Sequence, residues 1–178
     1  MRKLSIYIAS SIDGYIAKPN DDLSFLSLVE KTGEDYGYAD FIADIDTLII
    51  GRKTHDYVIK ALGPSYYDNG DRDVYVVTRN PKASSGRTTY YDGSMVDLLE
   101  NLRSKPGKGI YCDGGAEVID ALLKEDLVDE LTISVIPILL GNGTRLFKDG
   151  RPEQLLELVH AKTFDTGLVQ LYYKRKRQ

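Results

Sequence analysis

The chain reads as an α/β domain built on a mainly parallel sheet with antiparallel strands at one edge. Three observations predict it. Short apolar runs alternate with stretches of helical spacing through the first two thirds of the chain, and two of those runs break on glycine directly into a helix. Beyond Asp126 the period changes to the two-residue alternation of strands.

Residues 3–9 (KLSIYIA) alternate and carry β-branched and aromatic side chains, which predicts a first strand. The Asp13-Gly14 pair predicts a hairpin turn, with residues 15–17 pairing back on that strand, and residues 18–22 form a polar loop. Tyr38, Phe41, Ile42 and Ile45 have helical spacing and predict a helix over 34–45. Residues 46–50 (DTLII) are almost wholly apolar, as in a strand buried on both faces. They run into Gly51-Arg52-Lys53-Thr54 and a helix carrying Tyr57, Val58, Ala61 and Leu62.

A loop rich in Gly, Pro, Asn and Asp covers 63–73, followed by strands over 74–78 and 88–91. Ser94, with Asp97 three residues on, predicts a capped helix to Arg103. Residues 110–112 are a strand, Gly114-Gly115 a turn, and Val118, Ile119, Leu122 and Leu123 the apolar face of the next helix. A long strand is expected over 131–140, and 155–163 with 168–174 form a closing hairpin around Asp165-Thr166-Gly167.

At 178 residues the chain supports one well-packed domain, and no repeat or linker divides it, so 1–178 is expected to be a single domain. With 23 basic against 27 acidic residues and a net charge of −4, no basic face for nucleic acid is expected. The Lys-Arg-Lys-Arg run at 174–177 reads as a solvated tail. The single cysteine, Cys112, excludes an intrachain disulfide and fits a packed core thiol in a reducing compartment, so a cytoplasmic protein is expected. No apolar run reaches the roughly 20 residues of a membrane helix, and no zinc-ligand spacing is present, so neither a membrane partner nor a metal is expected.

Function is signalled at three strand ends: GRKT after Ile50, Thr78-Arg79 after Val77, and DGGAE after Cys112. A helix start exposes unpaired amides at the positive end of the helix dipole and so favours an anion. Either glycine turn alone reads equally as a tight turn. Arg52 and Lys53 at a helix start, however, oppose the dipole unless an anion offsets them. In open α/β sheets ligands lie beyond the carboxyl ends of the strands. Two such helices suit a pyrophosphate, and a hydroxyl with a guanidinium at Thr78-Arg79 suits a 2′-phosphate, which points to NADPH. There is no GxGxxG and no GxxxxGK[ST].

The segments ASSIDGYIA, IIGRKT, VVTRN and YCDGGAEVIDALLKEDLVDELTISVIPILLGNGTRLF resemble the dihydrofolate reductase-like family. They are especially similar to the reductase domain of the bifunctional riboflavin-biosynthesis deaminase-reductase. The resemblance implies a three-layer α/β/α sandwich around a mixed eight-stranded sheet with antiparallel C-terminal strands. It implies that Ala9 and Ile16 flank the nicotinamide and that Gly51, Arg52, Lys53 and Thr54 hold phosphates. Thr78 and Arg79 would meet the adenosine 2′-phosphate, and Gly114, Gly115, Ala116, Glu117 and Val118 would cradle the pyrophosphate. Asp13 and Asp113 are the implied catalytic acids, the latter standing where riboflavin-type reductases usually carry glutamate. Asp35 and Tyr36 fall where dihydrofolate reductases place a substrate-binding carboxylate.

The implied activity is NADPH-dependent reduction of a small heterocycle, with 5-amino-6-(5-phosphoribosylamino)uracil preferred and dihydrofolate second. A protein that binds NADPH without chemistry of its own, or in a regulatory role, is the reading from another class. The strand expected over 131–140, the closing hairpin and the resemblance together imply a homodimer.

Overall fold

The computed structural model describes residues 1–63, 66–67 and 71–177. Of the loop expected over 63–73, Pro64, Ser65 and residues 68–70 lie outside the described residues. The strands are β1 (Leu4–Ser11), β2 (Tyr15–Ala17), β3 (Ile45–Gly51), β4 (Asp73–Val77), β5 (Thr88–Tyr91), β6 (Gly109–Gly114), β7 (Glu130–Ile136), β8 (Thr144–Arg145), β9 (Leu156–Thr163) and β10 (Val169–Arg175). The α-helices are α1 (Tyr38–Ala43), α2 (Arg52–Leu62), α3 (Met95–Arg103) and α4 (Ala116–Lys124).

Eight strands form one sheet in the order β5-β4-β3-β6-β1-β7-β10-β9. All neighbours are parallel except β10, which runs antiparallel to both β7 and β9. Because side chains alternate across a strand, each central strand feeds two cores. Ile49, Ile110 and Cys112 pack with Leu98, Leu99 and Leu102 of α3 and Val118, Ile119 and Leu122 of α4. Leu48, Ile50 and Tyr111 face the other way, toward Phe41 and Ile42 of α1 and Val58 and Ile59 of α2. The result is the three-layer α/β/α sandwich around a mixed eight-stranded sheet that the resemblance implies. Ser94 caps α3 as its position predicts, accepting hydrogen bonds from the amides of Val96 and Asp97.

The structure corrects several expectations. Residues 15–17 follow a turn closed by Gly14 N–H to Ser11 O, but β2 pairs with β8 and not with β1. Ser11 Oγ accepts from Tyr15 N at 2.9 Å, and Asp13 is drawn to the Leu140-Gly141 amides, so the chain leaves the main sheet here. Strand β7 stops at Ile136, short of the 131–140 expected, because Pro137 has no N–H to give a ladder. Helix α1 spans only Tyr38–Ala43: Gly37, left-handed at φ 86°, sets its start, and strand β3 begins at Ile45. Residues of the 18–22 loop include a 3₁₀ turn (Pro19–Asp21), and a second 3₁₀ helix (Ser24–Val29) buries Phe25 and Val29 against Ile136 and Leu168.

The basic run at 174–177 is not a solvated tail. Arg175 bonds to Asp126 through Nε at 2.5 Å, and Arg177 to Asp129 through an N–H···O contact of 2.6 Å, fastening the chain end to the α4–β7 connection. No helix among the described residues is long and apolar enough to cross a membrane.

Candidate active site

The three strand ends singled out in the sequence lie side by side. In the sheet β3 sits between β4 and β6, with Gly51 opposite Val77 and Ile50 opposite Gly114. Helix α2 leaves this edge on one face and α4 on the other. Both begin on a glycine N-cap with no side-chain cap, at Gly51 and at Gly115, in contrast to the serine-capped α3. Their first amides are therefore open to an anion.

The two turns also touch. A Cβ on Gly51 would lie 3.1 Å from Val118 Cγ2 and 3.4 Å from Gly115 N, and one on Gly115 would lie 3.0 Å from Thr54 Oγ1. The Gly114–Gly115 peptide is cis. This close-set backbone is the kind of cradle that lets a phosphate approach amides directly, and on that observation the residues present fit a dinucleotide.

Around the cradle, Arg52 pairs through Nε with Asp56 at 2.7 Å and lies 5.4 Å from the Tyr90 ring centre. Lys53 and Arg79 are exposed. Thr78 is held at the end of β4 by its amide, which donates to Tyr91 O, while its hydroxyl accepts from Asn80 N at 3.2 Å. Ala116 and Val118 are buried, and Glu117 is exposed in an ion pair with Lys148. Ala9 lies in β1 opposite Ser134, and Ile16 in β2 packs against the α3/α4 core.

Of the two candidate acids, Asp113 is the one whose surroundings strip it of water. Period-two alternation puts it on the same sheet face as Tyr111, which donates its hydroxyl to Asp113 Oδ1 at 2.7 Å. Burial pushes the Asp113 carboxyl up to about 6, against the partial offset of hydrogen bonding from Tyr111 and the nearby Tyr67. Asp13 is the opposite case. Its carboxylate accepts from Ser11 Oγ at 2.6 Å, Gly141 N at 2.7 Å and Leu140 N at 3.1 Å, and these bonds, Ser11 first, hold it down at about 2. Asp13 thus fastens the 140–141 loop to the β1–β2 turn.

Asp35 and Tyr36 have local partners. Asp35 accepts from the amides of Ala39 and Gly37, each at 2.9 Å, which lowers its pKa and anchors the start of α1. Tyr36 sends its hydroxyl to Val29 O and packs edge-on against Phe164, while its carbonyl accepts from the Tyr7 hydroxyl at 2.6 Å.

Sequence reasoning missed the aromatic wall around Asp113. Phe41 stacks on Tyr7 at 4.7 Å and meets Tyr111 edge-on at 5.0 Å. Tyr38 lies 5.7 Å from Tyr7, and burial, with Asp113 nearby, raises its hydroxyl to about 12. Tyr67 stacks on the buried His55 at 5.3 Å. The signal was in the composition: 13 tyrosines stand against four phenylalanines and no tryptophan, and each buried tyrosine brings a hydroxyl that needs a partner. Cys112, by contrast, is inert; burial raises its thiol to about 12.

A mixed sheet with two glycine-started helices on its carboxyl edge defines a dihydrofolate reductase-like α/β protein. The chain belongs to the RibD C-terminal domain family, whose model matches residues 2–170. It is 38% identical over 175 residues to the uncharacterized protein YwjB of Bacillus subtilis (strain 168), covering 98% of each chain. A solved structure from Shewanella sp. PV-4, named for riboflavin biosynthesis, matches with a TM-score of 0.88 at 30% identity over 98% of this chain and 99% of that one. A dihydrofolate reductase from Enterococcus faecalis complexed with NADP(H) shares the fold, with a TM-score of 0.64 at 19% identity over 98% and 97% of the two chains.

Proposed function

We propose that this protein is an NADPH-dependent reductase of a small heterocycle, with 5-amino-6-(5-phosphoribosylamino)uracil as the preferred substrate. The observation that carries the reading is the contact between the two uncapped helix starts at Gly51 and Gly115, flanked by Thr78 and Arg79. Membership of the RibD C-terminal domain family supports it.

In this reading Gly51–Thr54 and Gly114–Val118 bracket the pyrophosphate, and Arg79 with Thr78 selects the 2′-phosphate. Ala9 and Ile16 border the nicotinamide, which supplies a hydride when bound. The chain itself must then provide a proton for the heteroatom next to the reduced carbon. Asp113 suits that task, since a carboxyl near 6 still holds protons close to neutral pH. Asp13, at about 2, holds none there and serves to shape the loop. The aromatic wall of Tyr7, Tyr38, Phe41 and Tyr111 excludes water and gives a flat ring something to lie against.

The functional protein is proposed to be a homodimer and to act in a reducing, cytoplasmic setting. Strand β9 is exposed along its whole length and carries Leu156, Leu158 and Val159 on the open edge of the sheet, a surface that a second copy would cover. Fluorescence titration with NADPH and NADH tests the cofactor, and NADPH is expected to bind more tightly. If neither binds, the reading is wrong. Turnover of the phosphoribosylaminouracil, with dihydrofolate as the competing substrate, tests the reaction. NADPH binding with neither turnover would point to a binding or regulatory protein on this fold.

A further inference from the structure

The proposed chemistry asks Asp113 to hold a proton, give it up and take another, in surroundings stripped of water. Its place in the sheet is particular. Strand β1 pairs with β6 from Leu4–Ile110 only as far as Ile6–Cys112, and β6 slips against β3 so that Ile49 faces Cys112 and Ile50 faces Gly114. Asp113 is therefore opposite no residue of either neighbouring strand, the kind of irregularity by which a strand re-aims a side chain. Tyr7 lies one residue past the last β1 position paired with β6, and the Tyr111 hydroxyl reaches its carbonyl at 3.1 Å as well as Asp113 Oδ1 at 2.7 Å.

A phenol has one hydrogen, so it serves only one of these acceptors fully at a time. Burial lifts the Tyr111 phenol well above its ordinary range, so that hydrogen turns between acceptors and is not released. A carboxylate is a stronger acceptor than a backbone carbonyl. A protonated carboxyl is not, and it brings a hydrogen that the phenol oxygen can accept. Each charge state of Asp113 thus has a matching position of the Tyr111 hydrogen, with no movement of the backbone. The other titratable groups turned toward Asp113 are also phenols: Tyr67, and Tyr38 of α1. Tyr7, Tyr66 and Arg72 stand near Tyr38, and His55 stacks on Tyr67. Cys112, beside Asp113 in the chain, stays a thiol.

We propose that Tyr111 is a positioning residue for Asp113: its hydrogen points to Tyr7 O while Asp113 holds a proton, and to Asp113 Oδ1 once that proton has gone to substrate. The proposal rests on the reading of this cleft as a reductase site. Asp113 passes its proton to the heteroatom beside the carbon that takes the hydride. Tyr111 keeps its own hydrogen throughout, and the charge left on Asp113 is met by it.

The test labels the protein with carbon-13 at aspartate Cγ and tyrosine Cζ and follows both by NMR as pH is raised, without cofactor or substrate. In wild type Asp113 titrates at about 6, and Tyr111 Cζ moves with the same midpoint as its hydrogen changes acceptor. In Tyr111→Phe the Asp113 midpoint rises by about one pH unit, a roughly tenfold tighter hold on the proton, because the charged form has lost a hydrogen bond. With NADPH and substrate present, the fall in kcat/KM moves to higher pH by the same amount, whereas a merely structural role would lower the rate alike at every pH. Asp113 titrating in the variant as it does in wild type overturns the proposal. So does a Tyr111 signal that stays flat through the wild-type titration, a measurement that stands even if the variant does not fold. Absence of turnover with either substrate counts against the reductase reading instead, and the substrate-free titration still decides whether Tyr111 follows Asp113.

Discussion

Tyr111 donates its hydroxyl to Asp113 at 2.7 Å, yet burial still lifts that carboxyl from an ordinary 3.8 to about 6. The hydrogen bond favours the charged form and desolvation the neutral one, and desolvation wins. Below about 4 Asp113 is protonated in both the folded and unfolded chain. Between about 4 and 6 the folded chain binds more protons, so stability falls as pH rises and then levels off. Asp113→Asn is expected to melt higher than wild type at pH 8, by up to about 3 kcal/mol of unfolding free energy for a shift of this size, and the difference disappears near pH 3. In turnover, kcat/KM should decline as pH rises through about 6 as the proton is lost. Asp113→Asn should abolish that dependence together with most of the activity. Thermal melts and pH–rate profiles check both.

Arg79 is exposed at the end of β4, one residue beyond Thr78. A guanidinium in that place contributes only to a dinucleotide that carries a 2′-phosphate. Arg79→Ala is expected to weaken NADPH binding about 10- to 100-fold and to leave NADH binding nearly unchanged, as measured by fluorescence titration of each. Equal losses for both cofactors would remove Arg79 from the specificity pocket.

Gly143 adopts φ 138°, and a Cβ there would lie 2.0 Å from Ala17 O. The collision is with backbone, so it cannot be relieved by a rotamer change. Gly143→Ala is expected to pull β8 away from β2 and to cost about 3 kcal/mol, or roughly 6–12 °C in melting midpoint. A variant that melts like wild type would contradict the β2–β8 pairing.

The exposed side chains of β9 include Leu158 at 52% and Val159 at 43%. If a second copy covers them, wild type runs at twice the chain mass in light scattering. Leu158→Lys, a charge on the edge, shifts it to the monomer. A monomeric wild type would remove the dimer from the proposal.

Much of this architecture is legible from residue order alone. DTLII and IYC are short, apolar and followed by glycine, and both proved to be central strands entering helices. Their juxtaposition was expected too, because ligands lie beyond the carboxyl ends of such strands and two glycine-started helices with nearby cations suit one phosphorylated ligand. What could not be read depends on side chains reaching far along the chain. Nothing local to Asp13 announces that its carboxylate serves the amides of residues 140 and 141, and that contact is what diverts β2 to β8. The helix expected over 34–45 was over-extended because Tyr36, at φ 60°, and Gly37 sit in left-handed backbone that apolar spacing does not register.

The contact of Gly51 with Val118 and of Gly115 with Thr54 has a consequence for how these segments can vary. Two stretches more than 60 positions apart in the chain crowd one volume, so a side chain added at either turn requires the facing side chain, Val118 or Thr54, to shift by a few tenths of an ångström. Gly51→Ala should be tolerated when Val118 is shortened to Ala and resisted when it is not. Relatives that depart from glycine at one turn are expected to carry a smaller facing side chain at the other more often than chance pairing gives.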